Sequence, residues 1–325
     1  MSDPAPAAPV CLIVNPAAGG GKAGRLTPQA LAELRRHGLT VRHVETRDLE
    51  HARDLALTAA RAGETIVVLS GDGAIGAIAD ALREVPGAVL GVLPGGRGND
   101  LARVLGIGIE LSQACATIAH GVPRAMDLGE VFSAGDGGPG RAFVGIASVG
   151  FDSDANRIAN EAPSWLGNLV YAYGALRALL SWRPARFQIE LDPPGERRSF
   201  TAYTIGAANS KTYGGGMRAA PSAMLDDGRL EVVVLERVGK LAFLTKILPR
   251  VFSGTHVREP CVHVFRAREV AIDADRAFTM YADGDPVGEL PLRVRAAPGA
   301  ITVLVPAEDP PDCAFAPSPP VAQAR

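Results

Sequence analysis

Two glycine-rich stretches that contain carboxylates are the parts of this sequence best suited to chemistry. They are Ser70-Gly71-Asp72-Gly73 and Pro94-Gly95-Gly96-Arg97-Gly98-Asn99-Asp100, and each stands between a short apolar run and a helix-like run. Glycine lets a bound anion reach backbone N–H groups, and the N-terminus of the following helix adds unsatisfied donors and a positive dipole end. The pattern therefore predicts two phosphate-binding loops.

Another glycine-rich loop lies earlier in the chain, after the predicted strand Val10–Val14: Asn15-Pro16-Ala17-Ala18-Gly19-Gly20-Gly21-Lys22-Ala23-Gly24. In chain order it is the first loop, and the two stretches above are the second and the third. Its glycines satisfy the dinucleotide-binding pattern, and Glu45 stands about where the ribose-binding acid would be. That alternative leaves the two later loops unexplained. The loop is not a P-loop, because Pro16 and Ala23 replace the glycine and the hydroxyl residue that this motif requires.

Strands and helices alternate through the first third of the chain. Near-continuous apolar strands in this alternation predict a doubly wound parallel sheet, whose ligands bind beyond the carboxyl ends of its strands. All three glycine loops fall at that end. The predicted strands are Val10–Val14, Val41–Glu45, Thr65–Leu69 and Ala88–Leu93, and the predicted helices are Leu31–Arg36, His51–Ala62, Ile75–Leu82 and Leu101–Leu105.

Near Asp127 the pattern changes to hairpin-like strands separated by turns. The predicted fold class is α/β, with a doubly wound parallel-sheet N-terminal domain and a mostly antiparallel, β-sandwich-like C-terminal domain. The predicted organisation is a disordered tail at 1–9, an α/β domain at 10–124, a β-rich domain at 125–305 and a loose tail at 306–325. The later strands are predicted at Ala125–Phe132, Arg141–Val149, Phe200–Ala207, Leu230–Leu235, Val262–Phe265, Glu269–Ile272, Phe278–Tyr281, Leu292–Ala296 and Ala300–Val305.

Composition excludes several classes of protein. The 33 basic and 35 acidic residues leave no basic surplus for nucleic-acid binding. The four cysteines are scattered, which predicts neither a zinc site nor a disulfide framework and favours a reduced, cytoplasmic location. No apolar run reaches the roughly 18 residues of a membrane span, and the N-terminus does not read as a signal peptide.

The second and third loops carry a family resemblance. Ser70–Ala74 and Pro94–Asp100 resemble the Gly-Gly-Asp-Gly-Thr and Pro-x-Gly-Thr-x-Asn-Asp signatures of the diacylglycerol kinase catalytic domain family, which includes bacterial lipid kinases, sphingosine kinases and ceramide kinases. The first loop is similar to this family's first nucleotide loop. The resemblance continues through Asn209, Tyr213-Gly214-Gly215-Gly216-Met217, Pro221, Asp226-Asp227-Gly228-Arg229-Leu230 and Asp283-Gly284-Asp285.

The resemblance implies a lipid kinase that transfers the γ-phosphate of ATP, with Mg²⁺, to the hydroxyl of diacylglycerol or a related lipid alcohol. It implies that Asp283 is the catalytic base, that Asp285 lies near metal and phosphate, and that Asp72 contributes to catalysis. In some members an acidic cluster binds a structural Mg²⁺, which points to Asp226 and Asp227 here. The implied ATP-binding residues are Asn15, Pro16, Gly19, Lys22, Ser70, Gly71, Gly73, Ala74, Gly95, Gly96, Arg97, Asn99 and Asp100.

The sequence departs from the family pattern at several of these positions. Ser70 replaces a glycine, Ala74 and Arg97 each replace a threonine, Ala77 stands where the family often has glutamate, and Asp285 replaces a glutamate. The guanidinium of Arg97 can bind a phosphate through two hydrogen bonds where threonine offers one. Two alternatives stay open: a degenerate homologue that binds ATP without turnover, and an NAD kinase-like enzyme, since NAD kinases share the Gly-Asp-Gly loop.

Two stretches of the second half are candidates for membrane contact. Ser164–Trp182 is a strongly apolar helical run, and Lys240–Arg250 is amphipathic with cations; each fits either core packing or a lipid surface. The predicted partner is a lipid substrate at the membrane surface, with no nucleic acid and no transmembrane segment. A homodimer is compatible with the sequence, and the expected location is cytoplasmic with transient membrane association.

Overall fold

The computed structural model describes residues 9–133, 140–151, 182–308, 310 and 313–316. The strands are β1 Val10–Val14, β2 Val41–Glu45, β3 Thr65–Ser70, β4 Val89–Pro94, β5 Val122–Ser133, β6 Arg141–Phe143, β7 Ile146–Gly150, β8 Ala185–Leu191, β9 Glu196–Ala208, β10 Leu230–Glu236, β11 Val262–Ala267, β12 Glu269–Ala274, β13 Thr279–Ala282, β14 Asp285–Glu289 and β15 Leu292–Val305. The helices are α1 Ala18–Arg36, α2 Leu49–Arg61, α3 Asp72–Leu82, α4 Asp100–Val104, α5 Leu111–His120, α6 Lys240–Ala242 and α7 Leu248–Ser253, with a π-helical turn Phe243–Ile247 between the last two and a 3₁₀ turn Thr255–Arg258 after them.

The chain divides into two compact units. Unit 1 draws on Met1–Asp127, Met224–Asp227 and Pro298–Arg325, and unit 2 on Leu128–Ala223 and Gly228–Ala297. The sequence analysis assigned everything from 125 to 305 to the second domain. The end of β15 instead groups with unit 1, because Thr302 and Val303 pair in parallel with β4.

Unit 1 contains the predicted parallel sheet. Its strands run in the order β4-β3-β1-β2, and each neighbouring pair is parallel. The bounds of β1 and β2 match the prediction to the residue, and all five residues of β1 are buried. Because β2 lies on one side of β1 and β3 on the other, the direction of winding reverses between β1 and β3. Ligands of open α/β sheets bind at such a reversal, beyond the carboxyl ends of the strands.

Two helices of unit 1 begin earlier than the sequence suggested. α1 starts at Ala18 rather than Leu31, and Gly19, Gly20 and Gly21 at its start adopt positive φ angles of 61°, 68° and 84°. α3 starts at Asp72 rather than Ile75. Sequence reasoning assigned these glycines to loops because glycine disfavours helix interiors. In α1 the three glycines are non-helical and lie at a kink, so the regular helix continues only after Gly21, whereas Gly73 lies in the first turn of α3.

Unit 2 is antiparallel and rich in β-strands, as predicted. β9 pairs with β7, β8 and β10, and β8 also pairs with β12. Its core contains Phe187, Ile205 and Val232, all with no measurable exposure. The predicted strand Arg141–Val149 is two strands, because the backbone at Val144 and Gly145 is bound by a side chain described below. β8 and β14 were not predicted, and β15 is one continuous strand where two were expected.

The described part of the C-terminal tail is packed, which corrects the prediction of a loose tail from residue 306. The Ala314 N–H donates to Val104 O (2.8 Å), and the Leu225 N–H donates to Ala314 O (2.7 Å). Phe315 is buried beneath Arg124, whose guanidinium carbon lies 4.4 Å from the ring centroid. The proline- and alanine-rich composition of the tail does not predict these contacts, because they depend on residues far away in the sequence.

Several predictions concern residues that the structure does not describe. The apolar run Ser164–Trp182 lies outside the described residues except for Trp182, which is buried with its ring 5.9 Å from that of Phe278. The predicted turn at 135–139 and most of the two tails also lie outside them. No helix in the described ranges is long and apolar enough to cross a membrane.

Candidate functional site

The three glycine loops of unit 1 contact one another at the carboxyl ends of β1, β3 and β4. A Cβ atom added to Gly19 would lie 2.5 Å from Gly95 O, and one added to Gly96 would lie 2.5 Å from the Cα atom of Gly71. Real Cβ contacts essentially never fall below 3.0 Å, so no larger residue fits at Gly19 or Gly96 without a backbone shift. Glycine at these two positions therefore lets the three loops pack backbone against backbone, in the kind of glycine-rich arrangement that can bind a phosphate, and we call this arrangement the cradle.

Asn99 shapes the third loop. The Gly96 N–H donates to Asn99 Oδ1 (2.8 Å), and Asn99 Nδ2 donates to Gly96 O (3.1 Å). Asn99 has a φ of 52°, in the left-handed region that asparagine tolerates better than most residues. The predicted binding residue Asn99 thus acts on the conformation of the loop, which it closes with two reciprocal hydrogen bonds.

Asp72 connects the second loop with the third. Its Oδ1 atom accepts the Leu101 N–H (3.1 Å), so it satisfies a donor in the first turn of α4. Asp72 is also the first residue of α3, where a negative charge complements the helix dipole. In this structure Asp72 positions two loops, and its predicted part in catalysis stays a prediction.

The N-terminus of α3 faces the cradle without a side-chain cap. Gly71 is its N-cap residue in an extended conformation, and no side chain accepts a hydrogen bond from the first turn. The first N–H groups of the helix therefore have no partner within it. Beside them, the Ser70 hydroxyl is buried and has no hydrogen-bond partner in the described part of the chain. This end of the helix suits an anion.

Cationic side chains surround the glycine loops. Lys22 is half-buried and Arg97 is exposed, and neither forms a hydrogen bond or ion pair with another described residue. Sequence reasoning missed two more cations: Arg25 Nη1 donates to Gly20 O (3.4 Å), and Arg103 Nε donates to Gly98 O (3.3 Å). Each arginine stands five residues after the glycine whose carbonyl it contacts, and this spacing is the sequence signal that could have identified both. Together they supply positive charge for a polyphosphate.

The other predicted binding residues lie in the same three loops. Asn15 Oδ1 accepts the Ala17 N–H (3.1 Å) and so fixes the start of the first loop. A Cβ atom at Gly24 would lie 3.1 Å from Pro16 O, which shows how closely α1 passes over this loop. Gly73 and Ala74 belong to the first turn of α3, and Asp100 begins α4.

In unit 2, Asp283 and Gly284 form the two-residue turn between β13 and β14. Ala282 pairs with Asp285 across the turn, and the φ angles of Asp283 and Gly284 are 49° and 94°. Positive φ at both central residues defines a type I′ hairpin, for which Asp-Gly is a preferred pair. The backbone of Asp283 therefore holds a conformation that few residues adopt.

The carboxylate of Asp283 is held by three backbone donors. Its Oδ2 atom accepts the Val144 N–H (2.7 Å), and its Oδ1 atom accepts those of Gly145 (2.8 Å) and Ile146 (3.2 Å). A Cβ atom at Gly145 would lie 2.7 Å from Oδ1, so glycine is what lets the carboxylate enter. Three donors stabilise the ionised form and fix its position. This arrangement stabilises the turn, and the catalytic role of Asp283 stays a prediction.

Asp285 forms an ion pair at the same hairpin. Its Oδ2 atom lies 2.9 Å from Arg141 Nη2, with both side chains about half exposed, and Arg141 Nη1 donates to Pro286 O (3.1 Å). A metal ion at Asp285 would have to displace or share this guanidinium. Exposed pairs of this kind contribute at most about 1 kcal/mol to stability, so the exchange is feasible.

The predicted structural metal site at Asp226 and Asp227 is not assembled. Asp226 Oδ2 lies 2.9 Å from Arg124 Nη2, and Asp226 Oδ1 accepts the Ala316 N–H (2.9 Å). No group of three or more His, Cys, Asp or Glu residues that could hold a metal occurs among the described residues. A divalent ion at Asp226 would have to compete with this guanidinium, and the structural metal site stays a prediction.

Comparison with known proteins matches both halves of the chain. Residues 9–131 match the diacylglycerol kinase catalytic domain, and residues 145–305 match the YegS C-terminal NAD kinase beta sandwich-like domain. Proteins named diacylglycerol kinase from Mycobacterium tuberculosis and Bacillus subtilis are 32% and 28% identical, over 91% and 86% of this chain and 95% and 90% of theirs. A crystal structure of a diacylglycerol kinase from Bacillus anthracis shares the fold with a TM-score of 0.70 at 20% identity, and covers 91% of this chain and 96% of that chain.

The similarity therefore extends over nearly the whole chain and includes all three glycine loops and the Asp-Gly-Asp turn. The chain belongs to the diacylglycerol kinase catalytic domain family, a family of lipid kinases.

Proposed function

We propose that this protein transfers the γ-phosphate of ATP to the hydroxyl of diacylglycerol or a related lipid alcohol. The observation that carries the proposal is the convergence of three glycine loops with the uncapped N-terminus of α3 at the sheet's reversal of winding. Such a cradle binds a polyphosphate through backbone N–H groups and the helix dipole. The names of the relatives supply the class of acceptor.

In this proposal the glycine loops hold the triphosphate and nearby cations neutralise it. Gly19, Gly71 and Gly96 keep the cradle free of side chains, while Lys22 and Arg97 bind phosphate oxygens. Loose phosphoryl-transfer transition states need mainly alignment and neutralisation of charge, which this arrangement supplies. A bound Mg²⁺ would supply further neutralisation of the phosphate charge. Asp285 is the candidate carboxylate for it in unit 2.

We assign Asp283 the task of accepting the proton of the lipid hydroxyl. In the transfer the hydroxyl oxygen forms a bond to the γ-phosphorus, the bond to the β,γ-bridging oxygen breaks, and ADP leaves. The hydroxyl proton becomes acidic only as the new bond forms, so an ionised, fixed carboxylate suffices to accept it. The N–H groups of Val144, Gly145 and Ile146 fix the position of the carboxylate that would accept the proton.

The acceptor places the reaction at a membrane surface. Moving one buried CH₂ group into water costs about 0.8 kcal/mol, so lifting a two-chain lipid out entirely would cost on the order of 20 kcal/mol. The enzyme is therefore expected to act as a cytoplasmic protein that associates transiently with the bilayer and raises only the headgroup. The apolar run Ser164–Trp182 was the sequence-based candidate for this contact.

One experiment separates the proposal from its two rivals. Purified protein is incubated with γ-labelled ATP and Mg²⁺, either with diacylglycerol vesicles or with NAD, and the labelled products are separated. Labelled phosphatidic acid is the expected product. Labelled NADP would favour the dinucleotide kinase. This alternative is worth testing because the C-terminal domain matches an NAD kinase beta sandwich-like domain.

The second rival is a degenerate homologue, suggested by Ala74 and Arg97 at positions where the family has threonine. It predicts that ATP raises the unfolding temperature while no phosphate is transferred to any acceptor. Absence of a phospholipid product over a range of Mg²⁺ concentrations, with thermal protection by ATP intact, would refute the proposed activity.

A further inference from the structure

The two most exposed large apolar side chains in the described part of the chain lie on one helical stretch of unit 2. Leu241 is 75% exposed and Phe252 is 56% exposed, followed by Ile109 at 51%. Both belong to residues 240–253, formed by α6, the π-helical turn and α7, which we call the 240–253 helix. Exposed apolar side chains that share one element indicate a contact surface more often than isolated ones do.

The opposite side of the 240–253 helix is anchored in the core. Phe243 and Ile247 are buried, and the Phe243 ring stacks on Tyr203 with centroids 5.3 Å apart and meets Phe151 edge-on at 5.0 Å. This anchoring fixes which side of the helix points outward. Positions 241, 245, 249 and 252 are exposed and follow at spacings of four, four and three residues, and we call them the outer face; 240, 246, 250 and 253 are exposed as well.

The polar atoms on that outer face are already satisfied. Thr245 Oγ1 donates to Leu241 O (2.8 Å), and Ser253 Oγ donates to Arg250 O (3.1 Å). Pro249 has no N–H group to satisfy. The outer face can therefore leave water without breaking hydrogen bonds, which is the main cost of moving a polar group into an apolar medium.

The charged residues within this part of the sequence are all positive. Residues 238–258 contain no Asp or Glu and four cations, although the whole chain carries a net charge of −2. Lys240 and Lys246 are exposed, and Arg250 pairs with Glu259 just beyond the stretch. An apolar stripe with lysines beside it is complementary to an anionic lipid interface, where each nearby cation contributes about 1 kcal/mol.

We propose that the 240–253 helix docks on an anionic phospholipid bilayer. It lies in the plane of the interface, with Leu241 and Phe252 inserted below the headgroups and Lys240 and Lys246 among the phosphates. The eleven-residue separation of the two apolar side chains spans about 16 Å, enough for two separate insertion points. The inference rests on the proposed function, because it names the surface through which the enzyme reaches a lipid acceptor.

The test is co-sedimentation with vesicles of phosphatidylcholine, with and without phosphatidylglycerol. The double variant Leu241→Asp/Phe252→Asp should bind at least about 100-fold more weakly, because burial of each large apolar side chain is worth about 10- to 100-fold. Lys246→Gln should weaken binding about five-fold on the anionic vesicles alone. Ile109→Asp is the matched control, an exposed apolar residue of unit 1, and it should bind like the wild type.

Different outcomes refute the docking surface and the proposed activity. Wild-type protein that ignores anionic vesicles, or a folded double variant that binds them as tightly as wild type, would overturn the docking surface. So would a double variant whose only change is a smaller oligomer in gel filtration, since the face would then bind another copy. Transfer to a short-chain, water-soluble diacylglycerol should be unchanged in the double variant. Lack of that transfer in the wild type would refute the activity and leave the docking result intact.

Discussion

Replacing Asp283 with asparagine separates the catalytic role of this residue from its structural one. The change removes the negative charge but keeps the size of the side chain, and asparagine also tolerates the positive φ of 49° found there. If Asp283 accepts the proton of the lipid hydroxyl, kcat should fall by about 10² to 10⁴. KM for ATP should change little, because the glycine loops belong to unit 1 and Asp283 to unit 2.

The structure also sets the expected cost in stability. Oδ1 accepts two N–H groups and Oδ2 one, so the amide oxygen should take the place of Oδ1 and leave its NH₂ group against the Val144 N–H. One hydrogen bond to a charged acceptor is then lost, which is worth about 1.5 to 3 kcal/mol. The variant should therefore fold, with a lower unfolding temperature than the wild type.

A matched control distinguishes lost chemistry from lost stability. Asp192 in the same unit also has a positive φ, 48°, and its Oδ1 atom accepts the N–H groups of Arg268 (2.7 Å) and Glu269 (3.1 Å). Asp192→Asn removes the same charge from the same backbone conformation, but its amide oxygen can keep both bonds to Oδ1, so it should lower the unfolding temperature less and leave kcat unchanged. Both variants are assayed with labelled ATP at saturation and short-chain diacylglycerol, beside thermal unfolding curves. Wild-type kcat in folded Asp283→Asn, or an equal loss of kcat in Asp192→Asn, would refute the assignment.

Four further predictions concern the glycine loops and the stability of each unit. Gly96→Ala should weaken ATP binding while the protein still folds, because its Cβ atom would lie 2.5 Å from the neighbouring loop; titration calorimetry with an unchanged affinity would contradict the cradle. Arg97→Ala should raise KM for ATP about 10- to 100-fold through loss of a charge-assisted bond, whereas a merely solvated arginine predicts no change. Burial lowers the pKa of His256 below its ordinary value of 6.5, so the unfolded chain takes up the proton first. Stability should fall as the pH drops below about 6.5, and His256→Asn should flatten that part of the curve of unfolding temperature against pH. Removing divalent metal with EDTA, without nucleotide, should leave the unfolding temperature unchanged because Arg124 neutralises Asp226; a clear drop would indicate a metal there after all.

The sequence by itself determined the parallel sheet and the loops at its edge. β1 has the predicted bounds because a short buried apolar run ends sharply at a glycine-rich segment, whereas the partly buried β2 follows from the alternation of strands and helices. The Asp283-Gly284 turn was predictable for a similar local reason, since few residue pairs adopt positive φ at both positions. The family resemblance was also visible in the sequence, because each of its motifs consists of residues that are neighbours in the chain.

Only the tertiary structure decided which groups these residues contact. The donors to Asp283 come from residues 137 to 139 positions away, and Asp226 meets Arg124 at a separation of 102. The same holds for the outer face of the 240–253 helix, whose periodicity fits core packing and membrane contact equally well until the burial of Phe243 fixes its orientation. Local sequence encodes backbone preference and periodicity, whereas long-range partners follow from how the strands pair and pack.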